Sequence, residues 1–291
     1  MKENTMLETI RSLLGVPSCA IPLSICKPAR SYLLEKAEIP KTGTAILFLI
    51  PYLMTDDVSK PQRNVSLYAV AKDYHGYCRL LVDMILPQLK ESFPSHRFAL
   101  FSDHSPIAEV DAAARAGLGV VGQHGLLITP LFGSFVFIGE IVTDAPYDAV
   151  TQQPLPYFPD EPPLCEGCGA CLKACPQRCI LGSKANCLSA LTQKKSDFTI
   201  EEADAVCEAK LVWGCDTCQL ACPHNRRIIF ERKDTPLSYF QEDRITELTS
   251  QKLLEMSDAE FASRAYAWRG KNTILRNTYL LETYKKGKRK I

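Results

Sequence analysis

The spacing of eight cysteines constrains this chain more than any other feature of its sequence. One block, at residues 165–176, follows the pattern C-x2-C-x2-C-x3-C-P, and a second places the isolated Cys187 ahead of a C-x2-C-x3-C-P run at residues 215–223. A cubane iron–sulfur cluster needs four thiolates, and a tight C-x2-C-x2-C loop supplies three of them before the backbone turns into a helix. The spacing therefore predicts two 4Fe–4S clusters that relay electrons.

The cysteine before each proline is expected to bind the cluster of the other block, as it does in two-cluster bacterial ferredoxins. The first predicted cluster takes Cys165, Cys168, Cys171 and Cys222, and the second takes Cys175, Cys187, Cys215 and Cys218. Each proline removes an amide donor and fixes φ, which suits a chain that leaves a helix beside a cluster. Two alternatives use the same residue type: an all-cysteine zinc site, and disulfides, which need an oxidising compartment.

Composition favours a reducing compartment. The chain has 13 cysteines, an odd number, and its longest apolar run, at residues 45–52, is far shorter than the roughly 20 residues that span a bilayer. No N-terminal signal pattern is recognisable, so we expect a cytoplasmic chain without a membrane partner. The net charge of +1 gives no overall attraction to nucleic acid. The remaining cysteines are predicted to be small buried apolar residues: Cys19, Cys26, Cys78, Cys179 and Cys207.

A proline-rich segment at residues 145–164 divides the chain, because it cannot form a continuous helix or central strand. We predict an α/β domain at residues 1–150, a two-cluster ferredoxin-like domain at 151–230, and a helical segment with a basic tail at 231–291. In the first domain, apolar periodicity indicates helices near 7–14, 67–84 and 107–116, and strands near 45–50, 98–102 and 134–142. The predicted fold class is therefore mixed α/β, or α+β.

Two short motifs in the first domain resemble cofactor fingerprints without fulfilling them. Residues 117–122 satisfy G-x-G-x-x-G, but a predicted helix precedes them where the dinucleotide fingerprint requires a strand. These glycines are better explained by a helix stop with positive φ and a loop that allows close backbone approach. Residues 73–78 begin like the D-x-H-x-x-G loop that ligates cobalt in some cobalamin proteins, but Cys78 replaces its glycine. His75 is therefore not predicted to bind cobalt.

Several segments together resemble the epoxyqueuosine reductases. The family patterns Y-A-x-x-x-D-Y-H, D-S-x-P-x-x-E, A-G-L-G-W-x-G-K-[HN], G-S-W and L-G-E are similar to residues 68–75, 103–109, 116–124, 133–135 and 138–140. The elements C-I-S, C-D-D-C-Q-L and L-R-N are similar to residues 187–189, 215–220 and 275–277. The likeness covers most of residues 45–280.

This resemblance implies a nitroreductase-like, cobalamin-binding domain followed by a two-cluster domain, with cobalamin bound base-off. It also implies reduction of the epoxide of epoxyqueuosine in tRNA to queuosine, which takes two electrons and two protons per water released. Asp103 is the position that matches the family's proton donor. The positions carried over as cofactor-binding are Tyr68, Asp73, His75, Gly117, Gly119, Gly122 and Ser189. The implied partners are an external electron donor, such as flavodoxin or ferredoxin, and tRNA.

The departures from the family pattern leave alternatives. Val120 and Gln123 replace the tryptophan and lysine of G-W-x-G-K, His224 replaces the tryptophan of C-P-W-N, and the helical-repeat extension of longer members is missing. The alternatives are a corrinoid reductase of another small molecule and a ferredoxin-like electron carrier without cobalamin. Without the family resemblance, Asp103 is explained as a turn residue or as the N-cap of the 107–116 helix, not as a proton donor. Basic and aromatic residues mix at 264–276, which fits either RNA contact or a solvated helix face.

Overall fold

The computed structural model of the protein describes residues 4–288, with side chains up to residue 284, so most of the predicted basic tail lies outside the described side chains. The chain divides into two compact units. One is formed by the chain up to Pro51 and by His75–Gly167, and the other by Tyr52–Tyr74 and the chain from Cys168 onward. The second unit is thus built from two separate stretches of sequence. The predicted boundaries at 150 and 230 stay a prediction about domain organisation.

Helices and strands are mixed up to Thr143, and the elements that follow within the described residues are helices. The strands are β1 (Ser18–Pro22), β2 (Thr44–Pro51), β3 (Phe98–Phe101), β4 (Val120–Val121), β5 (Leu127–Ile128) and β6 (Val136–Thr143). The helices are α1 (Met6–Leu14), α2 (Tyr32–Lys36), α3 (Thr55–Val58), α4 (Tyr74–Ser92), α5 (Glu109–Arg115), α6 (Tyr147–Thr151), α7 (Ala170–Ala174), α8 (Leu188–Thr192), α9 (Ile200–Glu208), α10 (Thr217–Ala221), α11 (Pro223–Phe230), α12 (Ser250–Glu255), α13 (Asp258–Ala262) and α14 (Lys271–Lys288).

The first unit is organised around a four-stranded antiparallel sheet in the order β1-β2-β6-β3. All eight residues of β2 are buried, as its unbroken apolar sequence predicts for a strand covered on both faces. β2 pairs with β6 in a register that sets Phe48 opposite Gly139, where the aromatic ring fills the space of the missing side chain. α5 packs its buried alanines into the same core as the strands. The predicted mixed α+β fold is confirmed.

The predicted continuous helix over residues 67–84 is wrong in its first part. Leu67–Ala69 form a single 3-10 turn, and α4 begins only at Tyr74. The backbone N–H of Ser66 donates to Trp213 O at 2.8 Å, and the N–H of Asp73 donates to Ser263 O at 2.8 Å. These bonds tie residues 66–73 to the rest of the second unit. Tertiary contacts therefore override the helical periodicity of this stretch.

The second unit packs short helices around a small core of its own. Trp213 and Tyr266 are fully buried there, with ring centroids 6.2 Å apart in an edge-on arrangement. Asn277 on α14, also fully buried, donates from Nδ2 to Thr192 O at 2.8 Å and to Val212 O at 2.9 Å. The asparagine of the L-R-N element thus joins α14 to the chain between Cys187 and Cys215. Within residues 4–288, no helix has the length and apolar character needed to cross a membrane.

Candidate functional site

Two short helices in the second unit carry the cysteine-proline elements. α7 contains Cys171 and ends at Cys175, while α10 contains Cys218 and ends at Cys222. The two terminal cysteines have nearly the same extended backbone, with φ −65° and ψ 111° at Cys175 and φ −67° and ψ 127° at Cys222. The helices pack against each other. The two blocks therefore present equivalent cysteine-bearing turns, as the crossed ligand prediction requires.

Four of the predicted ligands, Cys175, Cys187, Cys215 and Cys218, cluster within the second unit. Burial raises the pKa of Cys218 to about 12, and the neighbouring Cys215 and Cys187 thiols raise it further. Burial also raises the pKa of Cys215, and Cys187 adds to this effect. Thiols must lose their protons to bind iron, so Cys215 and Cys218 would release theirs on binding a cluster. The donor chemistry fits the second predicted cluster.

Cys179 is a fifth thiol at this place, and its position was not predicted. Its Sγ lies 3.5 Å from Cys175 Sγ, and it also hydrogen-bonds to Cys187. Burial, followed by these two neighbours, raises the pKa of Cys179 to about 12. The sequence signal for this contact is the C-P-x-x-C spacing, because one turn of the chain after Cys175 brings Cys179 back beside it. Cys179 is buried, as predicted, but among cysteines.

The first predicted ligand set has three members, Cys168, Cys171 and Cys222, in the second unit. Cys168 is exposed, whereas Cys171 and Cys222 are buried. Cys165, the fourth, lies near the end of the first unit, where its N–H donates to Val121 O at 3.0 Å.

The alternative metal and disulfide chemistries can be compared with this arrangement. All 13 cysteines fall in the described range and none forms a disulfide. No three His, Cys, Asp or Glu side chains of residues 4–288 form a site for a single metal ion. Ligands of a cubane bind different irons and need not converge on one point, whereas a zinc site draws its ligands around one ion. The described residues therefore contain neither a disulfide nor a preformed site for a single metal ion.

Asp216, inside the second block, anchors the cysteine loop to residues 63–67. Its carboxylate accepts from Arg63 Nη1 at 2.5 Å, from the Leu67 N–H at 3.0 Å, and from the Ser66 hydroxyl. The Asp216 side chain is only 2% exposed. Gly214, with φ +69°, donates its N–H to Thr192 Oγ1 at 2.9 Å. A side chain at Gly214 would strike Ser66, with a Cβ 2.5 Å from the serine Cβ.

Asp103 lies in a loop of the first unit, where its carboxylate is accessible. The Asp103 side chain is 73% exposed, and its Oδ2 lies 4.0 Å from His75 Nε2 on α4. The backbone is left-handed, with φ +59°, and its N–H donates to Glu109 Oε2 at 3.2 Å. Ala108, not Asp103, occupies the N-cap of α5. Helix capping therefore does not explain Asp103, which the structure brings together with His75.

Two carboxyl groups lie behind this loop in environments that favour their neutral forms. Burial, together with the Asp103 carboxylate, raises the pKa of Glu109 to about 7. Burial raises the pKa of Glu140 on β6 to about 8. Glu140 Oε2 lies 2.7 Å from Ser105 Oγ, which is also 2.8 Å from Ile107 O. One hydroxyl proton cannot serve both acceptors, so a protonated Glu140 that donates to Ser105 leaves the serine proton for Ile107 O.

The glycine loop stops α5 as predicted. Gly117 has φ +89° and donates to Ala114 O at 3.1 Å, and Leu118 donates to Ala113 O at 2.9 Å, the paired bonds of a Schellman motif. No atom lies within 4 Å of a Cβ built at Gly117, but one at Gly119 would lie 2.2 Å from Ile128 O. The close backbone approach at Gly119 is therefore to the adjoining strand β5.

A cavity of about 510 Å³ lies beside this loop in the first unit. Gly117 and Leu118 line it together with Ser18, Cys19 and Leu131. The Ser18 hydroxyl is buried and has no hydrogen-bond partner among residues 4–288. The size lies within the range of small-molecule sites. Gly122 does not reach open space, because a Cβ there would lie 2.6 Å from His124.

Three other predicted cofactor positions belong to the second unit. Burial raises the pKa of the Tyr68 phenol. Asp73 accepts at its carbonyl from the Tyr239 hydroxyl at 2.9 Å. Ser189, on α8, accepts at Oγ from Gln193 Nε2 at 3.3 Å. Their roles as cofactor contacts stay predictions.

Most basic residues of the 264–276 stretch are used within the protein. Arg264, only 4% exposed, donates to Asp243 O. Lys271 donates to Met256 O at 3.0 Å, and Arg276 donates to Lys194 O at 2.7 Å. The aromatic Trp268 in the same stretch is 62% exposed, and the Arg269 guanidinium lies 3.9 Å from its ring centroid.

The chain is similar to known proteins along most of its length. Residues 164–225 match a family model described as a 4Fe-4S double cluster binding domain. The epoxyqueuosine reductase of Listeria monocytogenes is 34% identical over 261 residues, which cover 83% of this chain and 64% of that protein. The epoxyqueuosine reductase of Gloeobacter violaceus is 31% identical over 229 residues, covering 77% and 69%. The Staphylococcus aureus enzyme is 32% identical over 219 residues, covering 72% and 53%. The chain thus spans about half to two thirds of these relatives.

Solved structures show the same fold. The epoxyqueuosine reductase of Streptococcus thermophilus superposes with a TM-score of 0.72 at 22% identity, covering 94% of this chain and 79% of that one. An epoxyqueuosine reductase crystallised with a tRNA-Tyr epoxyqueuosine-modified stem loop gives a TM-score of 0.73 at 24% identity, covering 94% and 80%. With the sequence identities above, the predicted resemblance is confirmed, and the chain belongs to the epoxyqueuosine reductase family.

Proposed function

We propose that this chain is an iron–sulfur oxidoreductase that reduces the epoxide of epoxyqueuosine in tRNA. The observation that carries the proposal is the pair of equivalent cysteine-proline turns on α7 and α10, which supply ligands for two clusters. Family membership gives the substrate class. Because the chain spans only part of its relatives' length, the activity, the tRNA substrate and the external electron donor are all parts of this proposal.

The first unit would supply the proton chemistry. Reduction of an epoxide to water and an alkene consumes two electrons and two protons. Asp103 is accessible and would present one proton, with His75 as its neighbour at 4.0 Å. Glu109 accepts the Asp103 N–H and so holds the loop in its left-handed conformation. Burial raises the pKa of Glu109 to about 7 and that of Glu140 to about 8, so these two carboxyl groups can themselves hold protons behind the Asp103 loop.

Cobalamin is the second cofactor of the proposal. When bound, it supplies a cobalt centre that collects single electrons and passes them to the substrate. The cavity beside Gly117, which Leu118 and Leu131 also line, would hold part of such a ligand. No histidine ligand to cobalt is needed, in agreement with the replacement of the motif's glycine by Cys78.

Anaerobic purification with added cobalamin tests the cofactor part of the proposal. We expect about eight irons per chain for two clusters and retained corrinoid, detected by absorption and EPR. Iron without corrinoid would refute this form of the proposal and favour a plain electron carrier. If corrinoid is retained, tRNA from cells that lack their own reductase should lose its epoxide.

Asp103→Asn tests the proton donor. The amide cannot give up a proton near neutral pH, so we expect normal clusters and corrinoid but turnover reduced by ~10²-fold or more. Asp83→Asn, an exposed position on α4, is the matched control and should keep full activity. Full turnover by Asp103→Asn would remove Asp103 from the mechanism.

A second function, reduction of a different small molecule by the same cofactors, is favoured by three positions. Val120 lies within the glycine loop and Gln123 directly follows it, while His224 lies in the first turn of α11. Each departs from the family pattern in residue type. Corrinoid retention without conversion of epoxyqueuosine tRNA would support this alternative.

A further inference from the structure

The first cysteine block carries an exposed surface that the proposed chemistry does not use. A cavity of about 430 Å³ in the second unit is lined by Leu172, Lys173, Arg178, Ile180 and Leu181. Leu181 is 78% exposed and lies beside the half-buried Leu172 and Ile180, so the surface has an apolar centre. We call these five residues the α7 patch.

The α7 patch is adjacent in sequence to predicted cluster ligands on both of its sides. Leu172 and Lys173 lie between Cys171 and Cys175. Arg178 follows Cys175, donating its N–H to Cys175 O at 3.1 Å. A molecule bound to the patch would therefore contact residues that are close in sequence to the predicted cluster ligands Cys171 and Cys175. Such proximity suits electron entry.

The charge of this region is strongly one-sided. Residues 168–196 contain five basic residues and no Asp or Glu, in a chain whose net charge is only +1. Lys173, Arg178 and Lys184 are exposed, and none of them forms an ion pair with another residue in the range 4–288. Unpaired charge of one sign attracts an oppositely charged partner over long range.

We propose that the α7 patch is the docking surface for a small acidic electron-carrier protein. An apolar centre with a charged rim is the usual composition of a protein interface. An RNA strand is disfavoured as occupant because the patch has no aromatic ring on which a base would stack. One electron passes from the reduced carrier to an oxidised cluster, so that the carrier is oxidised and the cluster reduced by one electron, with no covalent bond formed.

The inference rests on the presence of the clusters in the proposed function, but it can be tested without epoxide turnover. Reduced flavodoxin and dithionite are mixed separately with the cluster-loaded protein under anaerobic conditions, and cluster bleaching is followed by stopped-flow absorbance at several salt concentrations. Binding of oxidised flavodoxin is measured in parallel. The variant Lys173→Glu/Arg178→Glu is compared with Lys210→Glu/Lys252→Glu, which reverses two exposed charges elsewhere in the second unit.

We expect reversal at the α7 patch to slow reduction by flavodoxin about 10-fold or more at low salt and to remove most of its salt dependence. Reduction by dithionite should stay at the wild-type rate, which shows intact clusters. Leu181→Ser should weaken flavodoxin binding without changing its salt dependence. Equal effects of the two double variants, or no reduction of wild-type clusters by flavodoxin when dithionite succeeds, would overturn the proposal. So would loss of tRNA affinity with unchanged flavodoxin reduction, which would assign the patch to RNA.

Discussion

Replacement of Asp216 by asparagine should destabilise the second unit strongly. The carboxylate accepts bonds from three donors, and the Arg63 guanidinium beside it is itself only 13% exposed. Asparagine offers one acceptor oxygen and turns an NH₂ donor toward groups that also donate. The variant therefore loses hydrogen bonds to a charged group, worth about 1.5–3 kcal/mol each, and leaves a buried cation unpaired. Breaking a buried ion pair on one side costs roughly 3–5 kcal/mol.

The matched control is Asp243→Asn in the same unit. Asp243 pairs with Lys72, but its side chain is 55% exposed. Its φ of +49° is a conformation that asparagine adopts readily. An exposed ion pair contributes about 0–1 kcal/mol, so this variant should change stability little.

Urea unfolding under anaerobic conditions, followed by tryptophan fluorescence, measures the difference. Trp213 is fully buried in the second unit and reports on its unfolding. The visible absorbance of the clusters gives a second readout, because the loop that holds Cys215 and Cys218 is anchored through Asp216. We expect Asp216→Asn to lower the urea midpoint and to release cluster iron faster than the wild type. A loss below about 1 kcal/mol, equal to that of the control, would refute the reasoning.

Four further variants test other parts of the structure. Gly139→Ala would place a Cβ 2.2 Å from the Phe48 ring, so it should cost about 1–3 kcal/mol in thermal or urea unfolding; wild-type stability would contradict the strand register. Burial raises the pKa of Glu140 in the folded protein to about 8, above the ordinary value near 4.5, so the unfolded chain releases this proton at lower pH than the folded chain. Wild-type stability should therefore fall as pH rises from about 4.5 to 8. Glu140→Gln, which cannot titrate, should flatten this pH dependence. An unchanged difference between the two proteins across that window would show that Glu140 is not protonated in the fold. Cys187→Ala should remove the second cluster alone, seen as about half the iron, whereas Cys179→Ala should keep both; iron loss from Cys179→Ala would make Cys179 a ligand.

Local sequence signals predicted the elements that depend on local interactions. The apolar run of β2, the heptad-like spacing of α1 and the glycine stop after α5 all lie where periodicity and turn chemistry place them. The cysteine spacing likewise indicated the two turns at the ends of α7 and α10, whose role as metal-ligand turns stays a prediction.

The failures come from contacts between distant parts of the chain. Residues 67–73 have a helical period, but hydrogen bonds to Trp213 and Ser263 hold them in another conformation. Glu140 and Ser105 were each recognised in a motif, yet only the pairing of β6 with its neighbours and the course of the loop bring them within 2.7 Å. Arg264 and Arg276 look like surface cations in the sequence, but their guanidinium groups bond to backbone carbonyls far along the chain.

The division of the second unit between residues 52–74 and the chain from Cys168 onward bears on synthesis. The first unit has all its residues once Gly167 has emerged from the ribosome. At that stage residues 52–74 have been synthesised, but their partners in the second unit have not. Ser66 and Leu67 lack their hydrogen-bond acceptor Asp216. Asn64 lacks Leu248, to whose carbonyl it donates at 2.8 Å in the folded protein. Domains generally fold as they emerge, but this one must wait for the last helices. A gene fragment that begins at the first cysteine block would encode every second-unit cysteine and still lack the segment that anchors their loop.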